Sequence, residues 1–224
     1  MGKRAGRRAI SRSSGARKPS KLVQVVAVSL LRQTMDTQTT SPTPPPTEFA
    51  PIRMDRAACL RMEQALFREW LEADGMGGYA SSTVHLCPTR RYHGLLVAPL
   101  PGGGERHVFV SRLEEELVGP NRSFPLSTGR YPGIYAPEGY QSIASFELDP
   151  YPTWHYQIGE VEVQREILAV WGQHTVLVRW TRKGGPAGLR LRLRPLLAFR
   201  RSHDLTHENV ALDPRATRLP QGLV

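Results

Sequence analysis

The chain has 224 residues, of which 40% are hydrophobic and 22% are charged, and this size and composition fit one soluble domain with an appendage. The net charge of +10 suggests a nucleic-acid partner, but residues 1–35 hold nine Lys or Arg and no acidic residue. Residues 36–224 therefore carry 21 basic and 20 acidic side chains. A nucleic-acid module needs a basic face on its folded part, so we expect no nucleic-acid binding by the domain.

Cysteine usage and hydropathy exclude further classes. Cys59 and Cys87 are too few for a disulfide framework, which fits a reducing, cytoplasmic compartment. No Cys/His spacing predicts a zinc site, and no run approaches the roughly 18 apolar residues of a membrane span. We expect no metal, no other cofactor and no membrane partner.

Residues 1–52 are predicted to be a disordered basic tail followed by a Pro/Thr-rich linker. The tail contains a mildly apolar piece at residues 22–31. A secretory signal, an organelle transit peptide and a plain tail ahead of a later start at Met35 or Met54 are the alternatives, and composition favours the plain tail. Residues 36–52 include TQTTSPTPPPT, which predicts an extended linker.

Residues 55–67 carry a helical pattern. Asp55 suits the N-cap position, and Cys59, Met62 and Leu66 then fall on one face. We expect a short helix that packs this face on the core, with Cys59 as a small buried hydrophobe.

From Tyr79 onward the chain is predicted to form short strands between turn signals. The predicted strands are residues 82–86, 94–98, 107–111, 115–118, 142–148, 153–158, 161–168, 175–182 and 189–197. Residues 189–194 alternate leucine and arginine, so that strand covers a core on one face only. Because no βαβ alternation and no repeat is present, we predict an all-β fold, a large antiparallel two-sheet β-sandwich.

The densest group of special residues lies between the helix and these strands. Its first half is a glycine-rich turn, made of Asp74, Gly75, Gly77, Gly78 and Tyr79. The spacing lacks the third glycine of a dinucleotide loop and the Lys of a Walker loop. The glycines alone are equally well explained by a hairpin or bulge in which they serve only backbone geometry.

The second half is a polar run before a predicted strand, made of Thr89, Arg90, Arg91, Tyr92 and His93. Its two guanidinium groups, two hydroxyls and imidazole are groups that hold polar ligands. Alternation along a strand predicts that Arg91 and His93 share one face while Arg90 and Tyr92 share the other, so that only one pair meets a ligand. In the alternative, Arg90 or Arg91 pairs with a carboxylate such as Asp74 or Glu72 and only fixes the loop.

Several motifs together resemble the N-terminal part of the bacterial and archaeal glycogen debranching enzyme (amylo-α-1,6-glucosidase) family. They span about residues 66–212 in order and with few gaps. The motifs are EWL at 69–71, GGYAS at 77–81, TRRYHGLLV at 89–97, ST at 127–128, YPG at 131–133, PEGY at 137–140, SF at 145–146, DPYPTW at 149–154, RPLLAFR at 194–200 and HEN at 207–209. One departure is Asp74, where the family usually has Asn.

The resemblance implies a fold and an activity. Members of this family remove α-1,6 branches from glycogen, and related members move short α-1,4 glucans. Their hydrolytic centre lies in a C-terminal helical (α/α) barrel, while the N-terminal sandwich packs on the barrel and helps to form the glucan cleft. On this basis we expect residues 53–212 to be the sandwich and residues 213–224 to lead toward a missing barrel. The expected partners are α-glucan and a barrel domain in cis or in trans.

Catalysis by this chain alone is not expected. A glycosidase generally needs two carboxylates about 5–5.5 Å or 6.5–9.5 Å apart. Glu72 and Asp74 on one strand face lie about 6.5–7 Å apart, but any such pair in a strand does. The family keeps its catalytic acids elsewhere. We expect Glu69 to take no catalytic role and Glu114–Glu116 to be a solvated strand or turn end.

The remaining candidates are weaker. Trp154, Trp171 and Trp180 are expected in the core rather than as sugar platforms. Cys87 is a minor candidate for a nucleophile because Arg90, Arg91 and His93 follow it closely, although a buried structural thiol is the better interpretation. We assign no role to three isolated histidines, which are His85, His107 and His174.

Two functions therefore compete. The first is a glucan-contacting sandwich domain of a debranching enzyme, for which the candidate residues are those of the glycine turn and the polar run. The second is a non-catalytic binding module whose basic tail contacts nucleic acid or an anionic surface. Binding that collapses with salt and disappears with residues 1–35 would indicate the second.

Overall fold

A computed structural model describes residues 22–29, 50–205, 215, 217–219 and 222–223. The remainder of the predicted tail and linker, and the HEN motif, lie outside the described residues. The strands, numbered in chain order, are β1 Leu22–Ser29, β2 Ile52–Met54, β3 Glu69–Ala73, β4 Tyr79–Thr83, β5 Gly94–Pro99, β6 Arg106–Val118, β7 Ser123–Pro125, β8 Thr128–Tyr131, β9 Ile134–Glu138, β10 Ile143–Leu148, β11 Pro152–Ile158, β12 Val161–Ala169, β13 Thr175–Lys183, β14 Arg190–Arg201, β15 Arg218–Leu219 and β16 Gly222–Leu223. The helices are α1 Arg56–Leu60, α2 Met62–Phe67 and a 3-10 turn, Gly139–Ser142.

The predicted antiparallel β-sandwich is confirmed. One sheet has the order β1-β13-β12-β11-β10-β2, and the other has the order β14-β6-β5-β4-β3 with β7 beside β6. The core lies where the two sheets meet. In β14, Leu191 and Leu193 pack on the core while Arg192 and Arg194 are exposed, as the alternation predicts. In the part of the chain that the structure describes, no helix is long and apolar enough to cross a membrane.

The prediction of disorder is wrong for residues 22–29. They form β1, which pairs antiparallel with β13 along its whole length. The segment is rich in valine, a β-branched residue suited to a pleated surface. Val26 and Val28 pack against the core while Gln24 and Ala27 are exposed. The strand thus covers the edge that β13 presents.

The single predicted helix is two short helices. The Asp55 carboxylate caps α1 by accepting a hydrogen bond from the Ala58 N–H at 2.8 Å, as predicted. The chain becomes extended at Arg61, between α1 and α2. Nε2 of buried His85 lies 2.6 Å from the Cys59 carbonyl. The His85 side chain therefore takes the place of the backbone N–H that would bind this carbonyl in a continuous helix. Cys59 is fully buried, as expected.

A charged network joins the two sheets inside the core. The Glu115 carboxylate of β6 lies 2.8 Å from the Arg165 guanidinium of β12 and 2.9 Å from the Trp180 indole nitrogen. The prediction of a solvated Glu114–Glu116 is wrong at Glu115, which is 1% exposed. The predicted strands at 107–111 and 115–118 are one continuous strand, β6, and its alternation directs this carboxylate inward.

Candidate functional site

The glycine turn connects β3 to β4 and is closed by its own aspartate. The Asp74 Oδ1 atom accepts hydrogen bonds from the N–H groups of Met76 and Gly78, both at 2.8 Å. Gly75 and Gly77 have φ angles of +75° and +87°, which side chains rarely adopt. The turn residues therefore fix the backbone path.

Close packing excludes a side chain at two of these glycines. A Cβ atom at Gly78 would lie 2.2 Å from Asp74 Oδ2 and 2.9 Å from His174 Nδ1. At Gly75 it would lie 2.7 Å from the indole of Trp171. Gly75 and Gly78 are therefore needed for the backbone path of the turn, as the hairpin or bulge interpretation of their pattern predicts.

A second turn, between β12 and β13, docks on the glycine turn. Asp74 Oδ2 lies 2.5 Å from His174 Nδ1, and the Asp74 carbonyl accepts the Gly172 N–H at 2.7 Å. Asp74 is 3% exposed and His174 is 9% exposed. This contact gives a role to His174, to which the sequence analysis assigned none. A separation of 100 residues leaves no local pattern that could reveal it.

The polar run is a loop turn, so the predicted strand alternation is wrong there. The His93 N–H donates to the Arg90 carbonyl at 3.1 Å, and β5 begins only at Gly94. Arg90 forms an ion pair with the Glu69 carboxylate, as the loop-fixing alternative predicts, although Asp74 and Glu72 were the example partners. Arg90, Arg91 and Tyr92 are all exposed, and Arg90 differs in that its guanidinium is paired with the Glu69 carboxylate.

His93 and Thr89 hold the loop closed. His93 is buried, and the Thr89 N–H donates to its Nδ1 atom at 3.1 Å. Nδ1 is therefore the acceptor, and the ring proton lies on Nε2, which faces Glu69 Oε1 at 3.5 Å. Burial lowers the pKa of His93, although the Glu69 carboxylate opposes that effect. A neutral, buried imidazole fits a structural role.

The exposed surface beside this loop is a cluster of rings and guanidinium groups. The Tyr79 hydroxyl donates to the Tyr92 carbonyl at 2.9 Å, and the Tyr92 hydroxyl lies 3.2 Å from His203 Nδ1. Arg91 donates to the His203 carbonyl at 2.9 Å. We call this surface the Tyr92 cluster, and its members are Tyr79, Arg91, Tyr92, Arg106, Arg200 and His203.

Two further arginines complete the Tyr92 cluster. Arg200 donates to the Arg91 carbonyl at 2.6 Å, and Arg106 donates to the Gly77 carbonyl at 2.5 Å. Burial raises the pKa of Tyr79 despite these two nearby cations, and burial lowers the pKa of Arg200. The pairings β4–β5, β5–β6 and β6–β14 place Tyr79 and Arg200 in one row across four strands. Arg106, Arg200 and His203 carry no local pattern that indicates this site, because strand pairing and packing of the chain after β14 bring them to the loop.

The three tryptophans considered above separate into two groups. Trp154 and Trp180 are 0% and 3% exposed, which confirms the expectation of core packing. Trp171 is 41% exposed, so the prediction is wrong for this residue. Its turn folds over Gly75 at the end of the β12–β13 hairpin and leaves one side of the indole open.

The carboxylates near the glycine turn do not form a catalytic pair. Both oxygens of Asp74 are occupied by hydrogen bonds or by His174. Glu72 is half-buried, and burial raises its pKa to about 7 although a hydrogen bond from the Ala169 backbone opposes the shift. Among the described residues, Glu72 is therefore the one carboxyl at this turn without a charged partner, and one carboxyl does not meet the requirement for glycoside hydrolysis.

Cys87 does not have the properties of a nucleophile. Its side chain is 1% exposed, and burial raises the pKa of the thiol, although Arg112 and Arg130 act in the opposite direction. A reactive cysteine needs exposure and a lowered pKa. Cys87 is instead a structural residue, and its carbonyl accepts the Thr83 hydroxyl at 2.9 Å.

Comparison with protein families agrees with the resemblance seen in the sequence. The family model described as glycogen debranching enzyme N terminal matches residues 68–223. Searches of curated proteins and of solved structures give no match. Because the matched segment covers more than half of the chain, the chain belongs to the glycogen debranching enzyme N-terminal family.

Proposed function

We propose that this chain is the glucan-binding, site-shaping N-terminal domain of a glycogen debranching enzyme, and that it serves glycogen catabolism in the cytoplasm. The enzyme would be an amylo-α-1,6-glucosidase or 4-α-glucanotransferase, a glycoside hydrolase in the broad sense. Family membership supports this proposal. The observation that carries it is the Tyr92 cluster, an exposed surface of rings and guanidinium groups beside the family motifs.

The chemistry of the Tyr92 cluster suits a sugar. Glucose units present hydroxyls to hydrogen-bond donors and apolar C–H faces to aromatic rings. Tyr92 is 43% exposed, and its ring lies edge-on to His203 with the centroids 5.5 Å apart. Arg91 lies 5.8 Å from the Tyr92 ring, and one hydrogen bond to the His203 carbonyl, at 2.9 Å, positions its guanidinium. Rigid aromatic and guanidinium groups lose little conformational freedom when they bind.

The reaction itself would need a second domain. In the described residues, the carboxyls of the glycine turn are tied to the backbone or stand alone. We therefore assign hydrolysis to a helical barrel domain in cis or in trans. Exposed apolar residues on and after β14 would meet that domain, namely Leu197, Phe199 and Leu205. Exposed apolar groups of this kind are typical of interaction surfaces.

Electrophoresis of the full chain through gels with and without glycogen tests the proposal. We expect glycogen to retard the wild-type chain, and we expect R91A/Y92A to lose about tenfold in affinity, which corresponds to about 1.4 kcal/mol. The matched control is R192A/Y131A, which removes an exposed arginine of β14 and an exposed tyrosine of the separate β8–β9 hairpin, neither of them in the Tyr92 cluster. Wild-type migration that glycogen does not slow, or an equal loss of affinity for glycogen in both double variants, would contradict glucan binding at the Tyr92 cluster.

A further inference from the structure

Trp171 differs from the other three tryptophans of the chain in its exposure. Trp70, Trp154 and Trp180 are at most 3% exposed, and Trp171 is 41% exposed. Its indole rests on the backbone at Gly75, so close that a Cβ there would lie 2.7 Å from the ring. A bare glycine backbone thus supports one part of the ring and leaves a large part open to solvent.

The turn that carries Trp171 is fixed by buried polar contacts on both sides of the ring. Gly172 donates to the Asp74 carbonyl at 2.7 Å, and His174 lies 2.5 Å from the Asp74 carboxylate. Val170 also donates to the Thr175 carbonyl at 2.9 Å, which closes the hairpin. A ring held in this way pays little entropy on binding, in contrast to a ring on a loose loop tip.

The glycine turn lies between the Trp171 indole, which contacts it at Gly75, and the Tyr92 cluster, whose Arg106 binds the Gly77 carbonyl. The half-buried carboxyl of Glu72 accepts a hydrogen bond from the Ala169 backbone, two residues before the indole. On its other side, the glycine turn receives Arg106 of the Tyr92 cluster at the Gly77 carbonyl. One rigid turn therefore separates an open indole from a surface of tyrosine and arginine.

We propose that Trp171 is a stacking platform for a glucose unit of an α-glucan chain, on the opposite side of the glycine turn from the Tyr92 cluster. This inference rests on the proposed function, because the glucan is the ligand of both surfaces. An open indole matches the apolar C–H face of a glucose unit. A glucan several units long would then contact both surfaces, and Trp171 would favour longer chains over short ones.

Tryptophan fluorescence gives a direct test because the other indoles are buried. Acrylamide should quench the wild-type chain mainly through Trp171, and maltoheptaose should reduce that quenching. In glycogen gels, W171A should lose about tenfold in affinity and W171F, which keeps a ring against Gly75, should lose less. Y131A removes an aromatic side chain of similar exposure from the β8–β9 hairpin and should bind like the wild type.

The outcomes separate this inference from the proposed function. If the wild-type chain binds glucan, R91A/Y92A loses binding and W171F and W171A do not, the platform is overturned and the proposed function stands. Maltoheptaose that binds without protecting Trp171 from acrylamide overturns the platform as well, whether or not W171A folds. A wild-type chain that binds no glucan overturns both.

Discussion

The interior between the two sheets and the edge at the glycine turn are built from the same residue types. Each contains a carboxylate, its cationic or imidazole partner and a tryptophan. In the interior these are Glu115, Arg165 and Trp180, and all are at most 3% exposed. At the edge the pair of Asp74 and His174 is buried too, but its tryptophan stands in solvent. Accessibility, and not residue type, separates the structural cluster from the candidate binding surface.

The interior cluster is closed to solvent. The Arg165 guanidinium lies 4.9 Å from the Trp154 ring and 5.9 Å from the Trp180 ring, and its Nε atom donates to both oxygens of Glu115 at 2.8 and 2.9 Å. The edge differs because the buried contact of Asp74 with His174 fixes its backbone while the Trp171 indole remains exposed. A binding site needs both properties, a rigid support and free surface.

The largest effect is expected from breaking the interior pair. E115A leaves the Arg165 guanidinium buried without its partner and should lower the free energy of unfolding by about 3–5 kcal/mol. Urea denaturation of the full chain measures this loss.

The matched control is E116A, one residue along the same strand. Glu116 pairs with exposed Arg192 at 2.8 Å, and loss of such a surface pair should lower the free energy of unfolding by less than about 1 kcal/mol. Equal losses in E115A and E116A would contradict the assignment of Glu115 as the charged link between the sheets.

A smaller effect is expected from overfilling the edge. In G78A, the new methyl group would press on Asp74 and His174, and the free energy of unfolding should fall by about 2–3 kcal/mol. Glucan affinity should fall too, because the turn that supports Trp171 would shift. The control is G103A. At Gly103 φ is +91° and an added Cβ would meet no atom within 4 Å, so this variant should lose only the backbone strain, about 1 kcal/mol of the free energy of unfolding. A G78A chain as stable as G103A would show that the edge is loosely packed.

An effect that depends on pH is expected at Glu72. Its folded pKa is about 7 against an ordinary value of 4.5, so the folded state holds this proton more tightly than the unfolded state. As pH rises from 4.5 through 7, the carboxyl must ionise in a half-buried position and the folded chain loses stability. E72Q removes this titration and should lose less stability than the wild type over that range. Urea denaturation at pH 4.5 and at pH 7 measures the free energy of unfolding of both chains. An equal loss of this free energy in wild type and E72Q would refute the raised pKa of Glu72.

The sandwich was predictable because its strands carry local signals. Alternation in β14 and the turn residues between β10 and β13 indicate antiparallel strands without reference to distant residues. The strand at residues 22–29 was missed because its valines lie inside a basic segment whose overall composition indicates a tail. The break at Arg61 was missed because the competing group, His85, comes from a different part of the chain.

The site at the glycine turn was predictable only in part, because local sequence patterns do not reveal its contacts with distant residues. The glycine turn and the polar run are contiguous in sequence, so their composition reveals an unusual segment. The contacts that give it a shape come from elsewhere, since His174 and His203 approach only when the hairpins and sheets pack. Trp171 shows the limit most clearly, because a large apolar residue is usually buried and only its place at a hairpin tip exposes it.

Hydrogen exchange of the full chain with and without maltoheptaose tests the central claim, glucan binding at the glycine-turn edge, most directly. We predict that the glucan slows exchange at residues 74–78, 89–93, 170–174 and 200–204, and leaves the buried strand β12 and the β8–β9 hairpin unchanged. Protection at the β8–β9 hairpin alone would contradict a binding surface at this edge. So would the absence of protection by saturating maltoheptaose when glycogen does retard the same chain in gels.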